Sequence, residues 1–259
     1  MNELAQLKPK LSRLKLSGIL ESLDLRLSEA TTEKWDYTHF LLELLSDEVE
    51  RRDNKQLSRR IAKSGLDPQK TLATFDFSFN PKVHAAAVKQ LATCAFLAAR
   101  QNLFLVGPSG VGKSHLAQAL GNEALLRGYE VLYRNTHRLF RWIAAGRADD
   151  THERRMQQAR SVPVLILDDF GLRELSELQQ ADLYELISER YERVPTIITS
   201  NRDFAEWPQI FTNPLMGSAA MDRLVHRALK LVIEGKSYRL DSFMHSANTL
   251  TEPEVQTTK

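Results

Sequence analysis

The sequence Gly-Pro-Ser-Gly-Val-Gly-Lys-Ser at 107–114 constrains the fold of this chain more strongly than any other stretch. It matches the pattern G-x-x-x-x-G-K-S/T and lies between an apolar run, 102–106, and a predicted helix. Glycines let the loop bend so that its N–H groups converge on phosphate oxygens, and the helix N-terminus adds positive potential. The motif therefore predicts a nucleotide-phosphate site formed by Gly107, Pro108, Ser109, Gly110, Val111, Gly112, Lys113 and Ser114. We expect Lys113 to reach the β- and γ-phosphates of ATP and the Ser114 hydroxyl to bind Mg²⁺.

A pair of aspartates ends the apolar stretch Val-Leu-Ile-Leu-Asp-Asp-Phe-Gly at 164–171. A carboxylate at the end of a buried strand loses hydration, and two adjacent carboxylates repel each other, so a compensating cation is expected. We expect this strand to pair with the one before the glycine-rich loop, which would place Asp168 beside Mg²⁺. Asp169 is then a candidate to orient and deprotonate the water that attacks the γ-phosphate. The alternative is that Asp169 caps the turn into the next helix.

Asn201 ends the following predicted strand, in the sequence Pro-Thr-Ile-Ile-Thr-Ser-Asn at 195–201. An asparagine amide at this edge of a sheet could hold the attacking water and contact the γ-phosphate. Asparagine at a strand end is most often a turn residue. The order of the three segments along the chain nevertheless favours a functional role for Asn201.

Strand-like and helix-like segments alternate from residue 83 onward, which predicts an α/β fold with a parallel sheet flanked by helices. The strands are predicted at 102–106, 129–134, 162–169, 195–201 and 229–234. Two apolar stripes at helical spacing precede this region and predict a small all-α domain. The predicted organisation is a helical domain at 1–70, an aromatic linker at 71–82 that docks on the next domain, a nucleotide-binding domain at 83–241 and a polar, disordered tail at 242–259.

The composition excludes several other classes of protein. Cys94 is the single cysteine, which excludes an intramolecular disulfide framework and predicts a cytoplasmic location. No apolar run approaches the roughly 20 residues of a membrane span, and the N-terminus carries no secretory signal, so no membrane partner is expected. The histidines form no cluster with metal-ligand spacing, and no pattern indicates a nucleophilic triad.

Several segments together resemble the AAA+ ATPases of the initiator and helicase-loader branch, namely GPSGVGKSHLA, LILDDFG, TSN and MDRL. The chain more closely resembles the IstB-like transposition helper ATPases of IS21-type insertion sequences, which are related to the helicase loader DnaC and the initiator DnaA. That resemblance rests on KSHLAQALG, LDDFG, TSNRDFAEW and HRALKLVIEGKSYRL and covers about residues 10 to 241. It implies an AAA+ P-loop core preceded by the small helical domain.

The resemblance also implies roles for the motifs. It makes residues 107–114 the Walker A motif, Asp168 and Asp169 the Walker B motif, and Asn201 the sensor 1 residue. The second Walker B acid is more generally glutamate, whereas this chain has the shorter aspartate. A carboxylate one methylene further from the water implies slow hydrolysis.

Two arginines complete the implied site. Arg223 matches the arginine finger that a neighbouring AAA+ subunit supplies, which implies a homo-oligomer with ATP at its subunit interfaces. A surface salt bridge with Asp222 or another nearby acid is the alternative. Arg239 falls where helicase loaders place a second nucleotide-sensing arginine. Its role stays open, because only 20 residues follow it and no helical lid domain is expected.

The basic block from Arg127 to Arg160 holds eight arginines against four acids in a chain whose net charge is +2. Such a block alone fits a solvated helix face as well as a nucleic-acid footprint. The initiator-type resemblance favours DNA, because those ATPases insert DNA-facing helices after the second strand. Candidate phosphate contacts are Arg134, Arg138, Arg141 and Arg147, which would bind duplex DNA with little sequence preference.

These features support three functional hypotheses. The leading one is an ATP-dependent DNA-binding ATPase that assembles on target duplex DNA and presents it to a cognate transposase. The alternative is a DnaC-like replicative helicase loader that acts on single-stranded DNA. A nucleotide-dependent scaffold with vestigial hydrolysis is the third, and the Asp-Asp pair keeps it open.

Overall fold

The computed structural model of the protein describes residues 3–249. The chain divides into two compact units, Met1–Arg60 and Ile61–Lys259, and this division falls earlier than the predicted boundary at residue 70. The first unit is all-α, as predicted. Its helices are α1 Glu3–Arg13, α2 Ser17–Glu33 and α3 Tyr37–Ser64, the last of which ends in the second unit.

A close approach of α2 to α3 organises the first unit. A Cβ atom added at Gly18 would lie 2.6 Å from the Cα atom of Glu48, so this contact requires glycine. Helix α2 has no side-chain cap of its own. Glu48 replaces it, because its Oε2 accepts hydrogen bonds from the N–H groups of Gly18 at 2.6 Å and Ile19 at 3.3 Å. The buried core beneath this contact consists of Leu11, Ile19, Leu23 and Leu44.

The second unit is built on a five-stranded parallel sheet in the order β2-β3-β4-β1-β5. The strands are β1 Leu103–Val106, β2 Val131–Asn135, β3 Val164–Asp168, β4 Thr196–Ser200 and β5 Leu229–Val232. All five predicted strands are present. The expectation that β3 pairs with β1 was wrong, because β4 lies between them.

Helices cover the sheet and confirm the α/β fold. They are α4 Ala85–Ala92, α5 Ala95–Ala98, α6 Lys113–Leu126, α7 Thr136–Ala145, α8 His152–Ser161, α9 Glu177–Arg190, a 3₁₀ helix Phe204–Ile210, α10 Pro214–Val225 and α11 Tyr238–Thr249. The 3₁₀ helix and α10 were not predicted. The segment after β2 forms two helices, α7 and α8, separated by a turn in which Asp150 has a φ of 55°.

The C-terminal segment differs from the sequence-based expectation. Residues 242–249 belong to α11 rather than to a disordered tail, and residues 250–259 lie outside the described residues. The helix begins where the N–H of Leu240 donates to the Ser237 hydroxyl at 3.3 Å, which satisfies one of its first donors. Within the described chain, β5 is followed by this one helix and by no helical lid. None of the described helices is long and apolar enough to cross a membrane.

Trp207 fixes the chain after β4. Its ring is fully buried and packs against Phe104 of β1 and Phe170 after β3. Its Nε1–H donates to the Ser200 hydroxyl at 3.2 Å and to the carbonyl of Arg202 at 3.2 Å. This packing holds the edge of the sheet at which Asn201 and the acidic pair lie.

Replacement of Glu48 by alanine should loosen the start of α2, because two N–H groups lose their acceptor and the helix N-terminus loses its anion. Loss of a cap lowers the free energy of unfolding by about 0.5–2 kcal/mol, and amide hydrogen exchange in α2 should accelerate accordingly. Glu50→Ala is the matched control, since Glu50 is exposed on the same helix. Equal exchange of α2 amides in wild type and Glu48→Ala would contradict this role.

Candidate functional site

The glycine-rich loop joins β1 to α6 in a conformation that only glycine adopts easily. Gly110 has a φ of 83°, and Gly112, which caps α6, has a φ of 99°. A Cβ atom at Gly112 would also lie 2.6 Å from the ring of Phe75. Two constraints therefore favour glycine in the loop, namely the backbone conformation and, at Gly112, the contact with Phe75 of the linker.

Lys113 is folded into this loop. Its side chain is buried, and Nζ donates to the carbonyl oxygen of Pro108 at 2.7 Å. Burial lowers the pKa of Lys113 to about 8, although the nearby carboxylates of Asp169 and Asp168 act in the opposite direction. A weakly hydrated ammonium group beside converging N–H donors is suited to bind phosphate oxygens.

Asp168 ends β3 and is the best-bonded carboxylate at this edge of the sheet. Its Oδ1 accepts hydrogen bonds from the hydroxyl groups of Ser114, at 2.8 Å, and Thr199. Its Oδ2 accepts one from Tyr133 Oη at 2.6 Å. The structure thus brings together the two predicted Mg²⁺ ligands, Ser114 and Asp168. Both supply the hard oxygen donors that Mg²⁺ prefers when substrate phosphates and water complete its shell.

The described residues contain no group of three or more His, Cys, Asp or Glu side chains that could form a metal centre alone. Ser114 and Asp168 are two oxygen donors that could hold Mg²⁺ if a nucleotide and water supply its other ligands. A dedicated cage made only of protein ligands is not present in this part of the chain.

Asp169 follows in a left-handed conformation, with a φ of 56°. Burial, followed by the neighbouring charge of Asp168, raises the pKa of its carboxyl group. The Oδ2 atom accepts a hydrogen bond from the Asn135 amide at 3.1 Å, and its backbone N–H donates to the Thr199 hydroxyl at 3.0 Å. A carboxylate with a raised pKa is a better proton acceptor, as the proposed role as general base requires.

Asn135 has a second contact. Its Oδ1 accepts a hydrogen bond from the N–H of Arg138 and so caps helix α7. One side chain therefore joins the acidic pair to the first turn of the helix after β2.

Asn201 lies at the same edge, directly after β4. The carbonyl of Ser200 accepts a hydrogen bond from the N–H of Gly107 at 3.2 Å, which places Asn201 beside the start of the glycine-rich loop. Its side chain is exposed. The structure thus brings Asn201 to the loop and the acidic pair, while its role as sensor stays a prediction.

Arg239 also reaches the loop of its own chain. Its Nη2 donates to the Ser109 hydroxyl at 3.1 Å, and the N–H of Tyr238 donates to the carbonyl of Gly110 at 3.0 Å. The connection from β5 to α11 passes so close that a Cβ atom at Gly110 would overlap the Ser237 side chain. The structure thus brings Arg239 to the glycine-rich loop of its own chain, while its role in sensing the nucleotide stays a prediction.

Arg223 lies elsewhere. It belongs to α10, where Nη1 donates to the carbonyl of Ala219 at 2.9 Å and the guanidinium stacks over Tyr184 at 5.5 Å. No carboxylate of the described chain lies within 4.0 Å of it, so the alternative salt bridge is not formed. The next residue, Leu224, is bonded to Asn102 at the start of β1, the end of the sheet opposite the loop. Arg223 is thus separated from its own nucleotide site.

The four candidate DNA contacts fall into two pairs. Arg134 is half-buried and donates to the carbonyl groups of Ser64 at 3.1 Å and Tyr133 at 2.6 Å. Arg147 forms a two-point ion pair with the buried carboxylate of Asp182. The guanidinium groups of these two arginines are therefore bonded within the fold.

Arg138 and Arg141 are instead exposed on α7, whose opposite face is buried. They form no salt bridge within 4.0 Å in the described part of the chain. The structure therefore favours this pair over Arg134 and Arg147 for contact with an external phosphate.

Sequence reasoning missed a cavity of about 320 Å³ beside the loop. Four aromatic side chains line it beside polar and charged residues, and they are Phe75, Phe79, His115 and Tyr238. Phe75 stacks edge-on against His115, and Phe79 against Tyr238. The three phenylalanines of the linker were the available signal. Tyr133, Asn135 and Thr199 were also missed, and no motif would have singled them out.

The parallel sheet, the Walker A loop after β1 and the acidic pair at the end of β3 define a P-loop ATPase of the AAA+ class. Residues 9–246 match the family described as IstB-like ATP binding protein, and the chain belongs to that family. Membership confirms the resemblance found in the sequence. The protein is an ATP-binding ATPase of an insertion-sequence family.

Two curated relatives show the same relationship over nearly the whole chain. An ATP-binding protein of an insertion sequence from Mycobacterium tuberculosis is 39% identical over 234 residues, which cover 90% of this chain and 93% of that protein. An IS21 ATP-binding protein from Pseudomonas aeruginosa is 35% identical over 235 residues, which cover 91% of this chain and 89% of that protein.

Solved structures share the fold at lower identity. DnaA from Aquifex aeolicus, bound to AMPPCP, superposes with a TM-score of 0.56 at 22% identity over 74% of this chain and 59% of that one. A structure of DnaI superposes with a TM-score of 0.56 at 24% identity, over 66% of this chain and 95% of that one. The chain therefore spans nearly all of the DnaI chain and about three-fifths of the DnaA chain.

ATP binding above pH 8 should take up a proton. Lys113 has a pKa of about 8 in the free protein, and bound phosphate stabilises its charged form. Calorimetry at pH 9 in buffers of different ionisation enthalpy should show uptake of up to about one proton per ATP, and almost none at pH 7. Lys113→Arg should abolish the uptake, since arginine stays charged at both pH values. Unchanged uptake in that variant would assign the proton to another group.

Proposed function

We propose that this ATPase assembles with ATP on target duplex DNA and presents that DNA to a transposase. The observation that carries the proposal is the double contact of Asn135, which joins the acidic pair to the basic helix α7. Its relatives are named as proteins of insertion sequences, which supports a setting in transposition. A solved structure with the same fold is that of a DnaA bound to AMPPCP and single-stranded DNA, which supports DNA as a partner.

In this proposal the Walker A N–H groups and Lys113 bind the phosphates, and Arg239 adds a second cation from the same chain. Ser114 and Asp168 would hold Mg²⁺, which neutralises charge on the phosphates when it is bound. The cavity beside the loop would take the base, since the flat rings among its lining residues suit a purine.

Hydrolysis would use Asp169 as general base and Asn201 to orient the attacking water. Arg223 of a neighbouring subunit would stabilise the charge that grows on the transferring phosphoryl group. The short reach of aspartate and its hydrogen bond from Asn135 both favour a slow reaction. Slow turnover would let the ATP-bound assembly persist on DNA, and hydrolysis would then release it.

DNA would contact the exposed face of α7. Arg138 and Arg141 lie one turn apart on this face, next to Trp142, whose side chain is partly exposed. Contacts to phosphate alone would give binding with little sequence preference and a steep dependence on salt. Movement of α7 by DNA would also act on Asp169 through Asn135, so hydrolysis would respond to DNA.

The function is tested by gel shifts with duplex and single-stranded DNA, each with and without ATP. We expect ATP-dependent binding to the duplex that is weakened in Arg138→Ala/Arg141→Ala, with the salt slope reduced by about 2. Arg154→Ala is the matched control, because Arg154 is an exposed arginine of the neighbouring helix α8. A strong preference for single strands would replace the transposition proposal with the helicase-loader alternative.

Asp169→Asn should separate binding from hydrolysis. The amide keeps the size of the carboxylate but cannot accept the proton of the attacking water, so turnover should fall about a hundredfold or more. ATP-dependent DNA binding should remain, measured by the same gel shifts. Asp150→Asn serves as the control, since Asp150 is exposed in the turn after α7. Wild-type turnover in Asp169→Asn would remove Asp169 as the base.

A further inference from the structure

A cavity of about 250 Å³ lies at the end of the sheet opposite the nucleotide site, and three arginines line it. Arg100 precedes β1, Arg223 belongs to α10, and Arg227 lies in the turn between α10 and β5. Only Arg223 carries a predicted role. Arg227 lies in the segment 226–240 that carries the family resemblance, but that resemblance assigns it no role, and Arg100 belongs to no motif of the sequence.

Asn102 holds the walls of this cavity together. Its amide donates to the carbonyl of Leu224 at 2.9 Å, while its Oδ1 accepts the N–H of Thr196 at 2.9 Å. Its backbone carbonyl accepts the N–H of Leu229 at 2.8 Å. The segment that carries Arg100 is therefore fixed to α10, β4 and β5, and the arginines project from a rigid corner.

Positive charge exceeds negative charge among the residues that line the cavity. No carboxylate lies within 4.0 Å of any of the three guanidinium groups in residues 3–249. Glu192 is the one acid among the lining residues, and it lies 3.6 Å from His226. Arg100 donates to the Glu192 carbonyl at 3.3 Å and Arg223 to the Ala219 carbonyl at 2.9 Å, which leaves donors on each planar group for an anion.

Two of these arginines occupy a backbone conformation that side chains with a Cβ rarely adopt. The φ angles are 53° for Arg100 and 56° for Arg227. Glycine or asparagine would be easier at both positions. Glu192, which also lines the cavity, has a φ of 56°, so the turns that follow α5, α9 and α10 form its wall.

We propose that this cavity binds phosphate oxygens of the nucleotide held by a second copy of the chain, with Arg100 and Arg227 acting beside Arg223. The inference rests on the proposed function, which already places Arg223 at a neighbour's ATP. The chain's own ATP is out of reach, because the four residues of β1 separate Asn102 from Gly107 by about 13 Å or more. The edge of a second copy that carries the triphosphate, Asp168 and Asp169 is complementary in charge.

The test compares single variants in the full-length protein, with turnover and ATP-dependent assembly measured over a range of protein concentrations. Arg100→Ala and Arg227→Ala should each lower turnover by about tenfold, against about a thousandfold for Arg223→Ala. Each should also raise the concentration needed for assembly. Arg193→Ala is the matched control, since Arg193 lies next to the cavity but pairs with Glu189 at 3.2 Å.

A mixing experiment tests whether the arginines act on another subunit. Lys113→Ala loses ATP but keeps the arginine cavity, whereas Arg100→Ala/Arg227→Ala keeps an intact ATP site. A mixture of the two should recover turnover that neither shows alone, because a complete interface forms between unlike subunits. Absence of recovery, with assembly intact, would overturn action in trans.

The outcomes separate the inference from the function on which it rests. Wild-type turnover and assembly in Arg223→Ala would remove the proposed finger and with it this inference. Loss in Arg223→Ala, but none in Arg100→Ala or Arg227→Ala, would remove the inference alone. Weakened DNA binding without nucleotide, together with normal turnover, would assign the cavity to DNA phosphates and overturn the proposal.

Discussion

The buried carboxylate of Asp168 is the group on which the nucleotide site depends. Three hydroxyl groups from three elements, Ser114 of α6, Tyr133 of β2 and Thr199 of β4, donate to it. These bonds offset the loss of hydration at a side chain that is only 6% exposed. They also fix the relative positions of the glycine-rich loop and two strands. The site is therefore formed before any cation arrives, and binding need not pay for its assembly.

Much of the site could be predicted because its motifs are local. The loop at 107–114 dictates its own geometry, and a strand that ends in two acids needs a neighbouring donor or cation. The order of the strands in the sheet depends on contacts between segments far apart in the sequence, and the expected pairing of β3 with β1 was wrong. Asp168 still reaches Ser114, because α6 crosses from β1 to β3. Gly121 of α6 allows that crossing, since a Cβ atom there would lie 2.8 Å from the Ile166 side chain.

The groups that sequence could not identify act through tertiary contacts. Tyr133 and Asn135 lie two residues apart on one face of β2, and only the fold shows that both reach the acidic pair. The same limit applies to charge. Arg134 and Arg147 look equivalent to Arg138 and Arg141 in the sequence, yet the first two satisfy carbonyl groups or a buried carboxylate. The sequence gives the number of arginines, but only the packing shows which of them are bonded within the fold and which are free to bind a partner.

Arg239 and Arg223 lie at opposite ends of the sheet, and Arg239 contacts the loop of its own chain. An assembly built on the proposed contact of Arg223 with a neighbour's ATP would therefore have a polarity. Such contacts would be heterologous, so the copies that they join would add head to tail rather than pair about a two-fold axis. In an open array one terminal subunit would hold ATP that no finger reaches, and the other would present unused arginines. The terminal subunit whose ATP no finger reaches would hydrolyse that ATP most slowly. Subunits would therefore leave the array from its interior or from the other end.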